Sequence, residues 1–294
     1  SKSAPLLFPP RRSAGYCAPA RSRDPERPMR KIAHISDLHF GRINPGIVEG
    51  LLLDFKERAP DLVVISGDLT QRARRGQFIL ARSFIGRIGR PVLIVPGNHD
   101  VPLYDLGRRI MSPFGRFRRY IARELNPVYK DKEIAVFGIN TARRFPVVGG
   151  RISEFQVKRI CRRNDLIPPG VFKAVVTHHP LLPMPRGISQ SLVGRAKESL
   201  KAFGSCGVEL ILSGHFHFGY SGPAHFRDPE SRGKILVIQA STLSTRSRGE
   251  PSAYNLICID PPVLKLLRPA WNGRSFETAF CEEWRKTGSE WIRK

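Results

Sequence analysis

The sequence predicts an α/β fold in which strands alternate with helices. Short apolar runs of strand length, such as Ile32–Ile35 and Leu62–Ile65, each lead into a polar loop. Segments with helical apolar spacing, Ile47–Glu57 and Arg75–Ile88, follow these two loops. The alternation is typical of parallel βαβ units, in which the carboxyl ends of the strands meet at one edge of a sheet and collect ligands there.

The same pattern continues through most of the chain. Further strands are predicted over Pro91–Val95, Glu133–Asn140, Val171–Thr177 and Val208–Leu212, and further helices over Ser153–Arg163 and Ser191–Phe203. The basic and aromatic segment 102–129 is predicted to be helical and is a candidate lid over the site. Toward the end, antiparallel strands are predicted over Lys234–Ala240, Tyr254–Ile259 and Val263–Leu267, and Ser275–Lys294 is predicted to be amphipathic and partly helical.

The composition is that of a globular protein with an unusual charge. The 294 residues carry a formal net charge of +24, from 49 Lys and Arg against 25 Asp and Glu. Such an excess favours anionic partners: nucleic acid, an anionic membrane face or a phosphorylated substrate. A solvated arginine-rich surface explains the excess equally well. No apolar stretch approaches the roughly 20 residues that span a membrane. We therefore expect a cytoplasmic protein, with peripheral contact at the inner membrane face as an alternative.

Two further features bear on domain organisation and compartment. Residues 1–28 are rich in Pro, Arg, Ser and Ala without periodicity, which predicts a disordered N-terminal extension before a single domain over residues 29–294. The five cysteines are odd in number and include no Cys-x-x-Cys pair, so free thiols in a reducing compartment are expected.

Polar side chains cluster where the predicted strands end. Seven of them carry groups that bind metals: Asp37, His39, Asp68, Asn98, His178, His215 and His217. Carboxylate and amide oxygens together with imidazole nitrogens suit divalent Mn, Fe, Zn or Co. Seven ligands are too many for one catalytic ion, but they suit two ions that share a carboxylate. Two ions roughly 3.5–4 Å apart can clamp an in-line displacement at phosphorus, with a bridging hydroxide as the nucleophile.

The two residues after Asn98 suit proton transfer better than metal binding. His99 could protonate a leaving group or hold a phosphoryl oxygen, and Asp100 could orient the imidazole of His99. Arg143 lies beyond another strand end and could meet a phosphate, although a solvated arginine fits the sequence equally well. His34 lies inside the first strand and is expected to be structural.

Five short motifs contain these residues. In chain order they are Asp37-x-His39, Gly67-Asp68, Gly97-Asn98-His99-Asp100, His178-His179-Pro180 and Gly214-His215-x-His217. Together they resemble the calcineurin-like metallophosphoesterase superfamily, over about residues 30–260. The resemblance implies an αββα sandwich of two mixed β-sheets flanked by helices, with a dinuclear metal site at the strand ends.

The resemblance also implies a role for each residue. Asp37, His39 and His217 would hold one ion, and Asp68 would bridge to a second ion held by Asn98, His178 and His215. Since the family pattern is His-x-Pro, His178 is the ligand and the adjacent His179 becomes a substrate-binding candidate.

Two segments narrow the resemblance further. His34–Gly41 and Ser66–Gln71 are most similar to the bacterial class III cyclic-nucleotide phosphodiesterase group. This similarity implies phosphodiester hydrolysis, with a cAMP-like cyclic nucleotide as the leading substrate. Three alternatives stay open: a phosphohydrolase of a lipid-linked or sugar-nucleotide pyrophosphate at the membrane surface, a nuclease, and a non-catalytic scaffold. Nothing in the sequence indicates an oligomeric state.

Overall fold

A computed structural model describes residues 29–183, 192–224, 233–246 and 249–294. The segment 1–28, for which disorder is predicted, lies outside the described residues. So does Ser191, the first residue of a predicted helix. Within the described ranges, no helix is long and apolar enough to cross a membrane.

Thirteen strands and six α-helices make up the described part of the chain. The strands are β1 (Arg30–Ile35), β2 (Leu62–Ile65), β3 (Val92–Ile94), β4 (Val128–Lys130), β5 (Ile134–Gly138), β6 (Phe172–Val176), β7 (Leu210–Ser213), β8 (Tyr220–Pro223), β9 (Leu236–Gln239), β10 (Asn255–Asp260), β11 (Val263–Trp271), β12 (Phe276–Thr287) and β13 (Glu290–Arg293). The helices are α1 (Pro45–Arg58), α2 (Arg75–Arg87), α3 (Leu106–Met111), α4 (Gly115–Tyr120), α5 (Glu154–Asn164) and α6 (Ala196–Ser205).

The strands form two mixed sheets. One sheet has the order β13-β12-β11-β10-β1-β2-β3 and the other β4-β5-β6-β7-β9-β8. Strands β1 to β3 are parallel, as are β5, β6, β7 and β9, whereas the remaining neighbours pair antiparallel. Both sets of parallel strands end in loops that carry predicted ligands.

Aliphatic side chains fill the space between the two sheets. Ile32 and Val64 project there from the first sheet, and Val136 and Leu212 from the second. The other face of the first sheet packs on α1, α2 and α4, and the other face of the second packs on α5 and α6. These four layers confirm the predicted αββα sandwich.

The C-terminal stretch Ser275–Lys294 is not helical. It forms β12 and β13, which pair with β11 and with each other. In β12 the buried Glu282 and Trp284 alternate with more exposed neighbours, which is the period of a strand. Gly288, with a φ of 61°, lies in the turn between the two strands. The helical part of this prediction was therefore wrong.

Two other strands also differ from expectation. The Lys234–Ala240 stretch was predicted to be antiparallel, but its strand β9 runs parallel to β7 and antiparallel only to β8. Strand β8 was not predicted at all. It contains Gly222 and Pro223, which are poor strand formers, and it lies at the sheet edge where proline is tolerated.

The segment 102–129 contains two six-residue helices instead of one long helix. Helix α4 packs on α2, and the Phe117 ring is fully buried, 6.5 Å from the ring of Phe78. Its C-terminal end leads into β4, an edge strand of the second sheet. The α4 half of the segment therefore belongs to the layer of helices on the first sheet. The α3 half does not contribute to that layer.

The cysteines correct the prediction of free thiols. Cys161 of α5 and Cys206, just after α6, form a disulfide with their Cα atoms 5.4 Å apart. The two helices pack side by side on the second sheet, which brings together residues separated by 45 positions. Cys258 is buried and outside any disulfide, and Cys17 lies outside the described residues.

Candidate metal centre

The predicted ligands come together where the parallel strands of both sheets end. The loops after β1 and β2 are joined by backbone hydrogen bonds, from Asp37 N to Gly67 O at 3.1 Å and from His39 N to Asp68 O at 2.9 Å. A bond from Gly214 N to His178 O at 3.0 Å joins the loops of the second sheet. Each bond fixes one ligand loop against another.

One group of donor atoms is formed by Asp37, His39 and His217. His217 Nε2 lies 3.2 Å from Asp37 Oδ1 and 3.3 Å from His39 Nε2. The other ring nitrogen of His217 donates to the carbonyl of Arg246 at 3.0 Å, so Nε2 is the nitrogen directed into the group. Asp37 Oδ1 is buried and has no hydrogen-bond partner. An orphaned carboxylate oxygen facing two imidazoles suits a divalent cation.

A second group is formed by Asn98, His178 and His215. His178 Nε2 lies 3.1 Å from Asn98 Oδ1 and 3.2 Å from His215 Nδ1. His178 Nδ1 donates to Ser66 O at 2.8 Å, so Nε2 is the nitrogen that faces the group. Both groups could therefore hold a metal ion.

Asp68 lies between the two groups. Its Oδ2 is 3.7 Å from His39 Nε2 in the first group, and its Oδ1 is 3.4 Å from His178 Nε2 in the second. Oδ1 also accepts from the backbone N–H of His99 at 2.9 Å. This is the position that a bridging carboxylate requires.

The backbone at these residues is unusual. Five of the candidate ligands have positive φ: Asp37 (54°), His39 (45°), Asp68 (52°), His215 (76°) and His217 (62°). Left-handed backbone is uncommon for residues other than glycine and tends to cluster at functional sites. Here it turns several side chains from different loops toward one point.

Close backbone approach explains two glycines of the motifs. A Cβ on Gly97 would overlap Asp68, and a Cβ on Gly214 would overlap Ser36 and Asp37. Neither position has room for a side chain, because the loop passes directly over a candidate ligand.

Burial keeps two of the candidate imidazole ligands neutral. It lowers the pKa of His39 to about 3 and that of His215 to about 4. Both rings are therefore neutral near pH 7 and can offer a lone pair. Burial opposes ionisation of Asp37 and Asp68, but nearby histidines, His217 and His178 foremost, hold the pKa of both carboxyls below the usual range. Burial opposes protonation of His178 and His217, but Asp68 raises the pKa of His178 to about 9 and Asp37 raises the pKa of His217. The carboxylates are therefore anionic, and a divalent cation would replace the proton that each of these two imidazoles shares with them.

His99 lies beside the groups but is held differently from the prediction. Its ring is 4.8 Å from the ring of His39, and its Nδ1 donates to the carbonyl of Gln71 at 2.8 Å. Asp100 does not orient this ring. The buried Asp100 carboxylate accepts from Gly97 N, Leu69 N, Thr70 N and Thr70 Oγ1. It ties the loop after β3 to the loop after β2, so its role here is structural.

The two predicted substrate contacts are also engaged within the protein. His179 is buried, with Nδ1 bound to Thr141 Oγ1 at 2.8 Å and Nε2 to Val148 O at 2.9 Å. Arg143 donates to the carbonyls of Asn140, Ala142 and Arg151 and to Gln156 Oε1. Both side chains therefore hold the 140–151 loop in place. The structural interpretation of His34 agrees with its contacts, Ser66 Oγ at 2.9 Å and Asn255 Nδ2 at 3.3 Å.

Arg246 lies beside the site but was not among the predicted site residues. Its Nη1 donates to His99 Nε2 at 3.1 Å, and its carbonyl accepts from His217. The side chain is exposed, and no carboxylate of a described residue pairs with it. A signal was present in the sequence, since the arginine lies in a loop between predicted strands, but no spacing rule connects residue 246 with residue 99.

Comparisons with known proteins agree with this geometry. The calcineurin-like phosphoesterase family matches residues 30–219. A glycerophosphodiester phosphodiesterase, GpdQ, of Enterobacter lignolyticus (strain SCF1) is 37% identical over 81 residues, which is 24% of this chain and 29% of the relative. A probable cyclic nucleotide phosphodiesterase of Synechococcus sp. is 30% identical over 80 residues, 24% of this chain and 31% of the relative. The matched regions thus span under a third of either curated relative.

Solved structures share the fold at low identity. A dimetal phosphatase from Danio rerio superposes with a TM-score of 0.60 at 13% identity, covering 82% of this chain and 96% of that chain. The purple acid phosphatase PPD1 from yellow lupin gives a TM-score of 0.64 at 12% identity, covering 86% and 53%. The family match covers most of the chain, and the ligand-type side chains within it converge on one site. The chain belongs to the calcineurin-like phosphoesterase family.

Proposed function

We propose that this protein is a dinuclear metal-dependent phosphodiesterase. The observation that carries the proposal is the position of Asp68, with one carboxylate oxygen toward each of two groups of donor atoms. Asp37, His39 and His217 would hold one ion, and Asn98, His178 and His215 the other. Such a pair supplies Lewis acidity and an activated water for in-line attack at phosphorus. The net reaction converts a phosphodiester and water into a phosphomonoester and an alcohol.

The residues around the site would bind and orient the substrate. His99 and Arg246 lie together beside the donor groups, where the His99 ring is half-buried and the Arg246 side chain is exposed. In this arrangement His99 Nε2 accepts from Arg246, so Arg246 is the better placed donor to a non-bridging phosphoryl oxygen. Fixed cationic donors of this kind stabilise the charge that develops on such oxygens. The hydrogen bond from His99 Nδ1 to the Gln71 carbonyl fixes the orientation of the His99 ring beside the site.

The leading substrate is a cyclic nucleotide of the cAMP type. Support comes from the similarity of part of the chain to proteins described as a cyclic nucleotide phosphodiesterase and a glycerophosphodiester phosphodiesterase. Both descriptions name phosphodiesters, although they differ in the alcohol. The two metal ions are drawn from Mn, Fe, Zn and Co, which nitrogen and oxygen ligands bind.

The direct test is hydrolysis of an aryl phosphodiester by purified protein with added Mn²⁺, followed by a panel of cyclic nucleotides, linear diesters, monoesters and pyrophosphates. Asn98→Ala and His215→Ala should each abolish turnover while circular dichroism and thermal unfolding report an intact fold. Full activity in the presence of EDTA would contradict the proposal. So would wild-type turnover by either variant.

Arg246 has a separate test. Arg246→Met should lower kcat/KM for the aryl diester by about a hundredfold, as expected for loss of one preorganised donor. Arg246→Lys should recover part of that loss because it keeps the charge without the fork geometry. Arg82→Met, at an exposed position on α2, is the matched control and should behave as wild type. Inorganic phosphate should inhibit Arg246→Met more weakly than it inhibits Arg82→Met or the wild type. This result would show that the defect lies in anion binding.

A second candidate changes only the substrate, to a lipid-linked phosphoester or pyrophosphate. It is favoured over a nuclease by exposed aliphatic side chains near the site, among them Leu106, Ile110 and Met111. Turnover of a detergent-solubilised lipid phosphoester, with little turnover of cyclic nucleotides in the same panel, would decide for it.

A further inference from the structure

Helix α3 has an inverted distribution of side chains. Its arginine Arg109 is 1% exposed, whereas Leu106 is 60%, Ile110 50% and Met111 87% exposed. A helix on the surface of a globular protein normally does the opposite. The inversion is held by specific contacts. Arg109 donates to the carbonyls of Pro102 and Arg144, each at 2.6 Å, and it lies over the ring of Phe145.

The exposed apolar side chains are concentrated around this helix. Fourteen large apolar side chains are exposed among the described residues, and seven of them lie in two short segments: Tyr104, Leu106, Ile110, Met111, Phe145, Val147 and Val148. The two segments touch, because Arg109 joins them and Arg144 Nη1 donates to the carbonyl of Ile110 at 3.4 Å. They form one surface, which we call the apolar rim.

Two sets of contacts connect the apolar rim with the surroundings of the metal centre. The carbonyl of Val148 accepts from His179, the neighbour of candidate ligand His178. On the other side the guanidinium of Arg72 lies over the ring of Tyr104, next to Gln71, whose carbonyl holds His99. The rim therefore lies close to the metal centre in the fold.

A basic pocket adjoins the rim. It has a volume of about 420 Å³. Its lining includes Arg75 of α2, Arg108 of α3, Ser112 just after α3, and Arg116, Arg119 and Tyr120 of α4. None of the described residues that line it carries a carboxylate, and Asp105 pairs with Arg108 only at the edge, at 2.9 Å. Four guanidinium groups around one concavity suit an anionic phosphate group.

We propose that the apolar rim and this basic pocket bind the surface of an anionic lipid bilayer, with the metal centre facing the headgroups. Aliphatic side chains beside a cluster of arginines match both zones of such a surface, acyl chains and anionic headgroups. The charge argues against a second copy of this chain as the occupant, since a twofold contact would oppose the arginines of one copy to those of the other. Nucleic acid is a poorer fit, because most of the rim is aliphatic and offers few rings for stacking.

The experiment is vesicle co-sedimentation of the full chain with phosphatidylcholine vesicles and with mixed phosphatidylcholine–phosphatidylglycerol vesicles. Binding is expected only to the mixed vesicles and is expected to weaken with salt. Leu106→Ser with Met111→Ser should weaken binding by at least about tenfold. Arg116→Gln with Arg119→Gln should weaken it about fivefold for each arginine removed.

Matched controls lie on other helices. Leu53→Ser on α1 and Phe155→Ser on α5 remove exposed apolar side chains elsewhere and should leave binding unchanged. Loss of binding in Phe155→Ser but not in the α3 variant would place the membrane contact on α5 and overturn the proposal. Equal binding to both kinds of vesicle, or none to either, would also overturn it.

Two other outcomes would replace the bilayer with another occupant. Concentration-dependent dimers that disappear in the Leu106/Met111 variant would show that a second copy covers the rim. Binding of a short oligonucleotide that depends on Arg116 and Arg119, without vesicle binding, would show a nucleic-acid partner. Both measurements are independent of turnover, so an inactive protein that binds vesicles would contradict the proposed function and leave this inference standing.

Discussion

The metal centre and helix α3 depart from the usual hydrophobic pattern in opposite directions. The centre buries carboxylates and imidazoles, including Asp37, Asp68 and His39, where a core would normally be apolar. Helix α3 exposes aliphatic side chains and buries Arg109. The buried groups of the centre face one another, so contacts within the chain offset much of the cost of burying them. Their donor atoms also suit cations. The aliphatic side chains of α3 have no such counterpart within the described residues, which is why we assign them an external one.

The strongest way to separate the two regions is Asp68→Asn. Asparagine keeps the size of the side chain, tolerates the positive φ and can still accept from the His99 amide, but it loses the charge. We expect activity to fall on the order of a thousandfold, as for removal of a major electrostatic contribution at a transition state. Bound metal, measured by elemental analysis after dialysis, should fall with it.

Vesicle binding by Asp68→Asn should equal that of the wild type, because nothing in α3 touches this residue. A variant that loses metal and vesicle binding together would show that the two regions are coupled. In that case the centre and helix α3 would have to be treated as one functional unit.

The two regions also differ in how far the sequence predicts them. Each candidate ligand follows a predicted strand, so the α/β pattern alone places the set Asp37, Asp68, Asn98, His178 and His215 at one edge. The contacts that other side chains make around these ligands were harder to predict. The sequence suggested that Asp100 orients His99, but a carboxylate in a tight turn can reach several backbone N–H groups, and here those partners prevail. Arg246 approaches His99 from 147 positions away, and no local rule predicts such a contact.

Helix α3 could not be predicted in the same way. It has six residues, Leu106–Met111, which are too few to define a periodicity. Which face is buried depends on the carbonyls of Pro102 and Arg144, and both belong to loops whose course the sequence does not fix. The C-terminal stretch Ser275–Lys294 failed for a related reason, since its register comes from pairing with β11 and not from its own sequence.

Arg109→Met tests whether the buried arginine maintains the apolar rim. Removing the guanidinium leaves the buried carbonyl of Pro102 and the carbonyl of Arg144 without their donor, and a buried unsatisfied group costs about 1–3 kcal/mol. We therefore expect a lower free energy of unfolding in urea and weaker vesicle binding, with bound metal unchanged. Arg109→Lys should also weaken the rim, since one ammonium cannot reproduce the forked geometry. The exposed Arg82→Met is the control, and equal stability of the two methionine variants would contradict this role.

The smallest expected effect concerns His34, which lies in β1 below the metal centre. Burial lowers its pKa from 6.5 to about 3, so the folded protein holds the ring neutral. The unfolded chain takes up a proton below about pH 6.5. Stability should therefore fall as the pH drops from 6.5 toward 3, with a slope of up to about 1.4 kcal/mol per pH unit from this residue.

His34→Gln should remove one proton from that dependence. Glutamine can still hydrogen-bond to Ser66 or Asn255, so the fold should persist at reduced stability near neutral pH. Urea unfolding between these pH limits should then give a shallower curve than the wild type, with the difference growing toward low pH. Two parallel curves would mean that His34 is not held neutral by burial. That result would also show that burial at the metal centre does not extend its effect to the protonation of His34.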